Sequence, residues 1–508
     1  MNLKLSLAAL VAGLAASTVA TALPVNPADA AARCHAIEAP GNTHLVEPEQ
    51  WQTGGALPPH CQLRGQINKR TRFELRLPQN WNGRFVMAGC GGFCGSLLPD
   101  KPGYSNSINA ALKKGYAAIS HDGGHQGQSW ETHWAYNDPE ALELYAHKVL
   151  PVVSDVGLSL TTAFYGEAPH HRYFSGCSNG GRLGMMAAQR YPELFDGIAA
   201  GGAIFSLSEI AGKWGNWMTR QTMHQGKPAL SRQKNALLKQ SVIEQCDQLD
   251  GQLDGIISAP KQCRPDFSAL QCQSNTTGKD CFSQDEVMRL QRLYSGKRDD
   301  GTRVTETLEP GAEHYTDIWL FGEDNKPAWG LSASAGYRNL LSQELFQREH
   351  PAPLDAQTLQ QWVSTSRLPA LLDADNPDLS GLRNAGGKLF IYHGWADPLI
   401  IPQPMLDYYQ RAAAHSGGVT KLADHARLFM VPGWGHCWER PADAPDQFDP
   451  LEIVANWVEN GAAPDHFIAS QLDSNGEILR QRPVCAYPQQ ARLVDKDQPE
   501  KVASYQCQ

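Results

Sequence analysis

Five short apolar runs, separated by helical patterns, restrict the possible folds of this chain more than any other feature. The runs lie at residues 84–88, 116–120, 172–175, 388–393 and 427–431. They are nearly continuous in apolar residues, as strands buried on both faces are, rather than alternating. Helical patterns at 107–114 and 181–190 give the order of strand and helix that a doubly wound sheet requires. The sequence therefore predicts an α/β fold with a mostly parallel central sheet.

This alternation stops between about residues 205 and 380. The interval is irregular and rich in cysteine and tryptophan, the latter at Trp214, Trp217, Trp319, Trp329 and Trp362. Long insertions of this kind commonly cover the strand ends that carry a site. We therefore expect an inserted lid domain at 205–380, between the core segments 33–204 and 381–508. A separate domain of unrelated function is the alternative.

The N-terminus predicts export. Lys4 precedes an apolar run at 5–16, and small residues at 20–22 follow as a cleavage pattern. This order is typical of a secretory signal peptide, here 1–22, and it implies a periplasmic or secreted protein. A membrane anchor is the alternative, but a membrane span needs about 20 strongly apolar residues, and this run is shorter. No later stretch is apolar enough to span a bilayer, so we expect no membrane segment.

Composition and charge narrow the class of partner. Of the 508 residues, 42% are hydrophobic and 19% are charged, as in an ordinary globular protein, and the net charge is -9. Because no run of Lys or Arg is present, nucleic acid and anionic membranes are not expected partners. Small neutral or anionic substrates are compatible with this charge. The composition favours no particular oligomeric state.

The chain has twelve cysteines. Outside the cytoplasm cysteines persist as disulfides, so we expect six bridges. A zinc site is less favoured, because Cys90 and Cys94 have no second pair of Cys or His at finger-like spacing. Spacing alone leaves the connectivity open.

A candidate nucleophile lies between the third apolar run and the helical pattern that follows it. The segment Gly176-Cys177-Ser178-Asn179-Gly180 has the form Gly-x-Ser-x-Gly. The nucleophilic serine of the α/β-hydrolase fold projects from a strained turn between a strand and a helix, and glycines on either side prevent clashes there. Ser178 is therefore the predicted nucleophile, and an ordinary turn is the alternative.

A serine hydroxyl needs a base and a group that orients the base. In this fold the acid and then the histidine follow the serine, each in a loop after a late strand. Asp397 follows the fourth apolar run and His436 follows the fifth, so both are predicted members of a triad with Ser178. The competing residues are less well placed relative to the strand ends: His393, His425, Asp407 and Asp424.

Backbone N–H groups must also stabilise the oxyanion of the tetrahedral intermediate. The N–H of Asn179 is one predicted donor, because this residue follows the nucleophile. The second donor is expected from Gly91 or Gly92, in the loop after the first apolar run, where the backbone can approach a substrate. A plain glycine-rich turn is the alternative.

Four distinct motifs occur along the chain: GCSNGGR at 176–182, YHGWAD at 392–397, GWGHC at 433–437 and RPVCAYP at 482–488. Together they resemble the tannase and feruloyl esterase family over nearly all of the chain after the signal peptide. Cysteines adjoin both Ser178 and His436, which a generic hydrolase does not need, and the resemblance implies that these two form a disulfide. It also implies an α/β-hydrolase fold with a large inserted lid.

The resemblance further implies which cysteines pair. The implied pairs are Cys177 with Cys437, Cys34 with Cys61, Cys246 with Cys263, Cys272 with Cys281, and Cys485 with Cys507. Cys90 and Cys94 lie outside the family pattern. A local bridge beside the oxyanion loop is the simplest interpretation of these two.

The loop at 246–256, CDQLDGQLDGI, sets three carboxylates close together. Hard oxygen ligands at this density suit Ca²⁺. The loop resembles the family's lid calcium site, whose implied role is structural. The implied ligands are the side chains of Asp247, Asp250 and Asp254 and the carbonyl oxygens of Gln252 and Ile256. A solvated acidic turn is the alternative.

The predicted activity is that of an exported serine esterase that acts on a small aromatic ester. The resemblance implies a feruloyl, galloyl or terephthaloyl acyl group, with the Trp-rich lid supplying a flat apolar pocket. A substrate that carries a carboxylate would call for a lid arginine, for which Arg338 and Arg367 are available. An amidase, a peptidase or a general carboxylesterase could use the same triad, and a non-catalytic binding protein is a further alternative.

Overall fold

The computed structural model describes residues 26–46, 50–101, 107–273, 278–323, 325–437 and 444–508. The predicted signal peptide, 1–22, lies outside these ranges. The strands are β1 (Thr43–Leu45), β2 (Gln50–Gln52), β3 (His60–Ile67), β4 (Thr71–Pro78), β5 (Arg84–Ala88), β6 (Ala117–His121), β7 (His171–Cys177), β8 (Gly197–Gly201), β9 (Met223–His224), β10 (Lys227–Pro228), β11 (Lys388–Gly394), β12 (Ala426–Val431), β13 (His466–Leu472), β14 (Ile478–Cys485), β15 (Ala491–Leu493) and β16 (Tyr505–Cys507).

The helices cover both faces of the central sheet and form much of the inserted segment. They are α1 (Pro27–His35), α2 (Asn109–Lys113), α3 (Pro139–Glu143), α4 (Val149–Tyr165), α5 (Asn179–Arg190), α6 (Gly215–Thr222), α7 (Asn235–Cys246), α8 (Gln284–Ser295), α9 (Thr316–Trp319), α10 (Leu331–Phe346), α11 (Ala356–Thr365), α12 (Leu368–Leu372), α13 (Ser380–Asn384), α14 (Gln403–Ser416), α15 (Val419–Leu422) and α16 (Pro450–Asn460). Within the described ranges, none of these helices combines the length and the apolar character that a membrane crossing requires.

A ten-stranded sheet forms the centre of the molecule. Its order is β1-β3-β4-β6-β5-β7-β8-β11-β12, and β2 pairs with β3. The strands from β6 to β12 along this order run parallel. At the other edge β3 and β4 are antiparallel to each other, and β4 is antiparallel to β6. The predicted α/β class with a mostly parallel sheet is therefore confirmed.

Burial on both faces explains why the parallel strands have continuous apolar sequences. In β5, Phe85 and Met87 belong to the core that contains α4 and α5, whereas Val86 and Ala88 belong to the opposite core, with α2 and α16. All five apolar runs are strands, namely β5, β6, β7, β11 and β12. The antiparallel edge was not predicted, because β3 alternates between buried and partly exposed residues and lacks a continuous run.

The segment between β8 and β11 contributes to two cores. Trp214, Trp217 and Trp319 lie in a core of the segment's own. Tyr337 and Trp362 pack instead into the core that covers one face of the sheet. Part of the insertion thus packs directly into the core beside the sheet. Its predicted limits at 205 and 380 stay predictions.

Six disulfides pair all twelve cysteines. They are Cys34–Cys61, Cys90–Cys94, Cys177–Cys437, Cys246–Cys263, Cys272–Cys281 and Cys485–Cys507. These are the five pairs that the family resemblance implies and the local bridge inferred for the remaining two cysteines.

Candidate active site

Ser178 lies in the turn between β7 and α5. Its backbone has φ 62° and ψ -121°, a conformation that costs a residue other than glycine about 1–3 kcal/mol. The neighbouring glycines make the turn possible. A Cβ on Gly176 would lie 2.6 Å from the carbonyl carbon of Gly180, and a Cβ on Gly89 would lie 2.7 Å from the Cα of Gly180. The local strain is what is expected of a serine that is held out from a sheet for chemistry.

Asp397 and His436 lie in the loops after β11 and β12, which are adjacent parallel strands. Because the carboxyl ends of parallel strands meet at one edge of the sheet, the two side chains come together. Nδ1–H of His436 donates to Oδ2 of Asp397 at 2.7 Å, and both residues are buried. Oδ1 of Asp397 accepts from the N–H groups of Leu399 at 3.0 Å and Ile400 at 2.8 Å. With the proton on Nδ1, the lone pair of the neutral imidazole lies on Nε2, which is then the nitrogen that can accept a proton.

The competing residues have other surroundings. His393 is buried, and its Nε2–H donates to the carbonyl oxygen of Ile400 at 2.7 Å. Burial lowers the pKa of His393 and also that of His425, which precedes β12. Asp407 and Asp424 are exposed. These arrangements suit structural or surface roles.

The predicted oxyanion donors line the same cavity as Ser178. Gly91, Gly92 and Asn179 all contribute to its wall. Gly92 has φ 59°, and a Cβ at this position would lie 2.3 Å from the carbonyl oxygen of Ser129. Only glycine therefore fits there without moving the backbone. The backbone at Gly92 therefore packs directly against the backbone at Ser129.

The side chain of Asn179 connects the oxyanion loop to a buried arginine. Its Nδ2 donates to the carbonyl oxygen of Cys90 at 3.1 Å, and its Oδ1 accepts from Nε of Arg182 at 2.7 Å. Arg182 is fully buried and also donates to the carbonyl oxygen of Tyr145 at 2.8 Å. The Cys90–Cys94 disulfide closes the same loop. This positioning role of Arg182 was not predicted, although an arginine among the small apolar residues of α5 is a signal for it.

The cavity over Ser178 is mostly apolar and aromatic. Its empty space, including the solvent-open mouth, is about 740 Å³. Besides the candidate catalytic residues, its wall consists of Phe93, Ser129, Trp130, Tyr145, Ile204, Leu207, Ala211, Trp319, Trp329, Gly330, Ser332, Ala333, Leu399 and Ile400. A flat aromatic group matches these walls in shape and polarity. Ser129, Trp130 and Tyr145 were not predicted, and the signal for the first two is their place after the glycine-rich segment that follows β6.

Neither lid arginine considered from the sequence lines this cavity. Arg338 is buried, and its guanidinium donates to the carbonyl oxygen of Pro351 at 2.6 Å and to Oγ of Ser334. Arg367 pairs with Glu344 at 3.1 Å. Both arginines are therefore engaged elsewhere.

The nucleophile turn and the histidine loop are joined covalently. The Cys177–Cys437 disulfide links positions that are 260 residues apart, with a Cα–Cα distance of 5.8 Å. A Cβ on Gly202 would lie 3.3 Å from Sγ of Cys177 and 3.7 Å from Nδ1 of His436. The bridge and this close backbone approach hold the two sides of the site together.

The inserted segment also supports the histidine loop. The hydroxyl of Tyr315 donates to the carbonyl oxygen of Gly433 at 2.8 Å, and both groups are buried. The ring of Trp319 meets the imidazole of His436 edge to face, with centroids 5.2 Å apart. The segment therefore contributes to the position of His436 as well as to the cavity wall.

The predicted calcium ligands form a hydrogen-bonded loop after α7. Oδ2 of Asp247 accepts from the N–H of Gly255 at 3.0 Å, whereas its Oδ1 is buried and has no hydrogen-bond partner. Burial raises the pKa of Asp250, and the nearby charges of Asp254 and Asp247 add to this rise. A bound cation would give Oδ1 of Asp247 a partner and would offset the repulsion among the three carboxylates.

Arg482 of β14 reaches into the same loop. Its guanidinium pairs with Asp254 and donates to Oε1 of Gln252 at 2.9 Å. In the part of the chain that the structure describes, no three side chains of Asp, Glu, His or Cys converge as a metal site. The three carboxylates and two carbonyl oxygens, including that of Ile256, nevertheless have the donor chemistry that Ca²⁺ prefers. The calcium site stays a prediction.

The chain is similar to known proteins over most of its length. The family model "Tannase and feruloyl esterase" matches residues 59–508. Mono(2-hydroxyethyl) terephthalate hydrolase of Piscinibacter sakaiensis is 31% identical, and the match covers 92% of this chain and 89% of that protein. Feruloyl esterase B of Aspergillus niger is 30% identical, with 82% of this chain and 79% of that protein covered.

A solved structure shows the same fold. An esterase from Aspergillus oryzae superposes with a TM-score of 0.81 at 24% identity, covering 94% of this chain and 100% of that one. Combined with the sequence relatives, this likeness extends over nearly the whole chain. The chain therefore belongs to the tannase and feruloyl esterase family and is a carboxylic ester hydrolase.

Proposed function

We propose that this chain is an exported serine esterase that hydrolyses esters of aromatic carboxylic acids through an acyl-enzyme. The observation that carries the proposal is the hydrogen bond between His436 and Asp397 beside the cavity that Ser178 lines. Ser178 is the nucleophile, His436 the base, and Asp397 the residue that orients the base.

Acylation follows from this geometry. Oγ of Ser178 attacks the ester carbonyl carbon while Nε2 of His436 takes the hydroxyl proton. The hydrogen bond from Nδ1 to Asp397 stabilises the imidazolium that forms. The N–H group of Asn179, with that of Gly91 or Gly92, donates to the oxyanion as the carbonyl carbon becomes tetrahedral. The imidazolium then protonates the alcohol oxygen, and the alcohol leaves.

Deacylation repeats these steps with water. His436 takes a proton from a water molecule, and the resulting hydroxide attacks the acyl-enzyme carbonyl. Collapse of the second tetrahedral intermediate returns the proton to Oγ of Ser178 and releases the carboxylic acid. Each group ends in its starting protonation state.

The aromatic acyl class is supported by the cavity wall and by the relatives. Trp319, Phe93 and Ile400 are among the apolar groups that a flat acyl ring would contact. The relatives are named for a feruloyl ester and for a terephthalate monoester. Export is supported by the N-terminal sequence and by the six disulfides, which persist in an oxidising compartment.

A matched panel of substrates tests the proposed activity. The purified protein is expected to hydrolyse at least one of methyl ferulate, methyl gallate and mono(2-hydroxyethyl) terephthalate faster than a short aliphatic p-nitrophenyl ester. Amides of the same acids should be much poorer substrates. Preference for the aliphatic ester would indicate a general carboxylesterase instead, and comparable turnover of the amides would indicate an amidase or peptidase.

Mass spectrometry tests the nucleophile and the export signal in one experiment. A fluorophosphonate should add one adduct, on the peptide that contains Ser178.

The mature N-terminus of the protein recovered outside the cytoplasm should follow residue 22. An adduct elsewhere, or an intact N-terminus, would contradict the corresponding part of the proposal.

We also propose that the loop of Asp247, Asp250 and Asp254 binds Ca²⁺, which would supply a fixed positive charge that holds the loop. If free Ca²⁺ is present at about 100 times its Kd, its removal by EGTA is expected to lower Tm by about 2–3 °C in a chain of this length. Circular dichroism melts measure the shift. The variant Asp247→Asn is the control, because its Tm should respond less to EGTA. A wild-type midpoint that EGTA leaves unchanged would remove the calcium proposal.

A further inference from the structure

Two tryptophans are half exposed at the mouth of the cavity over Ser178. Trp130 is 48% exposed and Trp329 is 43% exposed, yet both also line the cavity. Every other tryptophan that the structure describes is less exposed. A residue that both lines a cavity and remains open to solvent must lie at its rim. The rim therefore carries two large aromatic faces that the described part of the chain leaves partly uncovered.

Trp329 is held at the rim by the inserted segment. Its ring lies 4.7 Å from that of the buried Trp319, with the two planes inclined by 50°. The next residue is Gly330, where a Cβ would lie 2.4 Å from the carbonyl oxygen of Trp319. Trp319 also contacts His436. The ring of Trp329 therefore packs on a side chain that helps to position the proposed base.

Trp130 is held by the loop behind the oxyanion donors. The carbonyl oxygen of the preceding residue, Ser129, accepts from the N–H of Phe93 at 2.7 Å. The following residue, Glu131, closes a tight turn by accepting from the N–H of Gln128 at 2.9 Å. Trp130 therefore projects from a braced turn and not from an extended loop.

Braced aromatic rings that stay exposed beside an active-site cavity are typical of ligand contact surfaces. In the proposed mechanism the acyl group stays bonded to Ser178 inside the cavity, whereas the alcohol must depart towards solvent. The alcohol side of the ester is therefore the part that passes the rim. Aromatic side chains favour contact with flat apolar faces, which both sugar rings and aromatic rings present.

We infer that Trp130 and Trp329 form a subsite for the alcohol part of the substrate, and that this part carries a flat-faced ring. The inference rests on the proposed function. It extends that function by assigning a preference for esters of ring-bearing alcohols over esters of small alkyl alcohols.

Esters of one acid with different alcohols test this subsite. The substrates are methyl ferulate, a feruloyl ester of arabinofuranose and benzyl ferulate, and the variants are Trp130→Ala, Trp329→Ala and Trp329→Phe. For each alanine variant, the ratio of kcat/KM for a ring ester to kcat/KM for the methyl ester should fall about 3- to 10-fold. Trp329→Phe should retain part of the ratio, because it keeps a ring face and the packing on Trp319.

The matched control is Phe346→Ala, which removes another half-exposed aromatic ring of the inserted segment that does not line the cavity. Its ratios should equal those of the wild type. A fall with the sugar ester alone supports a carbohydrate alcohol, a fall with benzyl ferulate alone supports an aromatic alcohol, and a fall with both supports a general ring subsite. Unchanged ratios in both alanine variants, in an enzyme that still hydrolyses methyl ferulate, would overturn the inference. If the wild type hydrolyses no ferulate, the same series of alcohols is tested as esters of the acid that it does accept from the panel. A wild type that hydrolyses no aromatic ester of the panel would contradict the proposed function itself.

Discussion

Replacing Ser178 by alanine is expected to lower kcat for ester hydrolysis by at least about 10⁴-fold. The substitution removes the oxygen atom that the proposed acyl-enzyme requires, while it keeps the Cβ and therefore leaves the strained turn as it is. Initial rates on the best ester of the panel measure the loss. Labelling by a fluorophosphonate should disappear with the activity.

The melting temperature separates loss of chemistry from loss of fold in this variant. Ser178→Ala should melt within a few degrees of the wild type, since nothing in the packing around residue 178 changes. Ser364→Ala, on the exposed part of α11, is a matched serine substitution and should keep full activity. If Ser178→Ala retained its turnover, the nucleophile would have to be sought elsewhere.

Replacing Asp397 by asparagine is expected to lower kcat by about 10⁴-fold. Oδ1 of Asp397 accepts two backbone hydrogen bonds, so the asparagine oxygen should take that position. Its NH₂ group would then face Nδ1 of His436, where Oδ2 now accepts. The imidazole would have to carry its proton on Nε2, and that tautomer cannot receive the proton of Ser178.

The exposed Asp407→Asn is the control for this change of charge. Asp407 lies on α14 and accepts a hydrogen bond from Gln403, away from the cavity. Its kcat should equal that of the wild type. A direct reading of the tautomer is available from the ¹⁵N chemical shifts of the His436 ring. Equal activity of Asp397→Asn and Asp407→Asn would remove Asp397 from the mechanism.

Local patterns in the sequence were sufficient for the parallel part of the sheet and for the order of the candidate catalytic residues. A strand buried on both faces requires a continuous apolar run, and β5, β11 and β12 all have one. Ser178, Asp397 and His436 could be selected because each follows such a run directly. Strand β3, in the antiparallel part of the sheet, escaped this reasoning, since its buried and partly exposed residues alternate instead of forming a continuous apolar run.

Other parts of the site depend on contacts between segments that are distant in sequence. Trp130 and Trp329 are separated by about two hundred residues, and only the folded chain brings both to one rim. The buried Arg182 acts through carbonyl groups of the segment before α4, which no pattern within α5 specifies. The two lid arginines considered from the sequence proved to be engaged away from the cavity.

The sequence by itself determined the α/β class, the predicted nucleophile turn and the acid and histidine loops, because each follows from the character of neighbouring residues along the chain. Family resemblance, rather than spacing, indicated how the cysteines pair. Only the tertiary structure decided which side chains surround Ser178, how Asp397 holds His436, and which aromatic rings remain exposed at the cavity mouth. Those features arise from the packing of segments far apart in sequence, and packing is set by shapes and distances that a one-dimensional pattern does not contain.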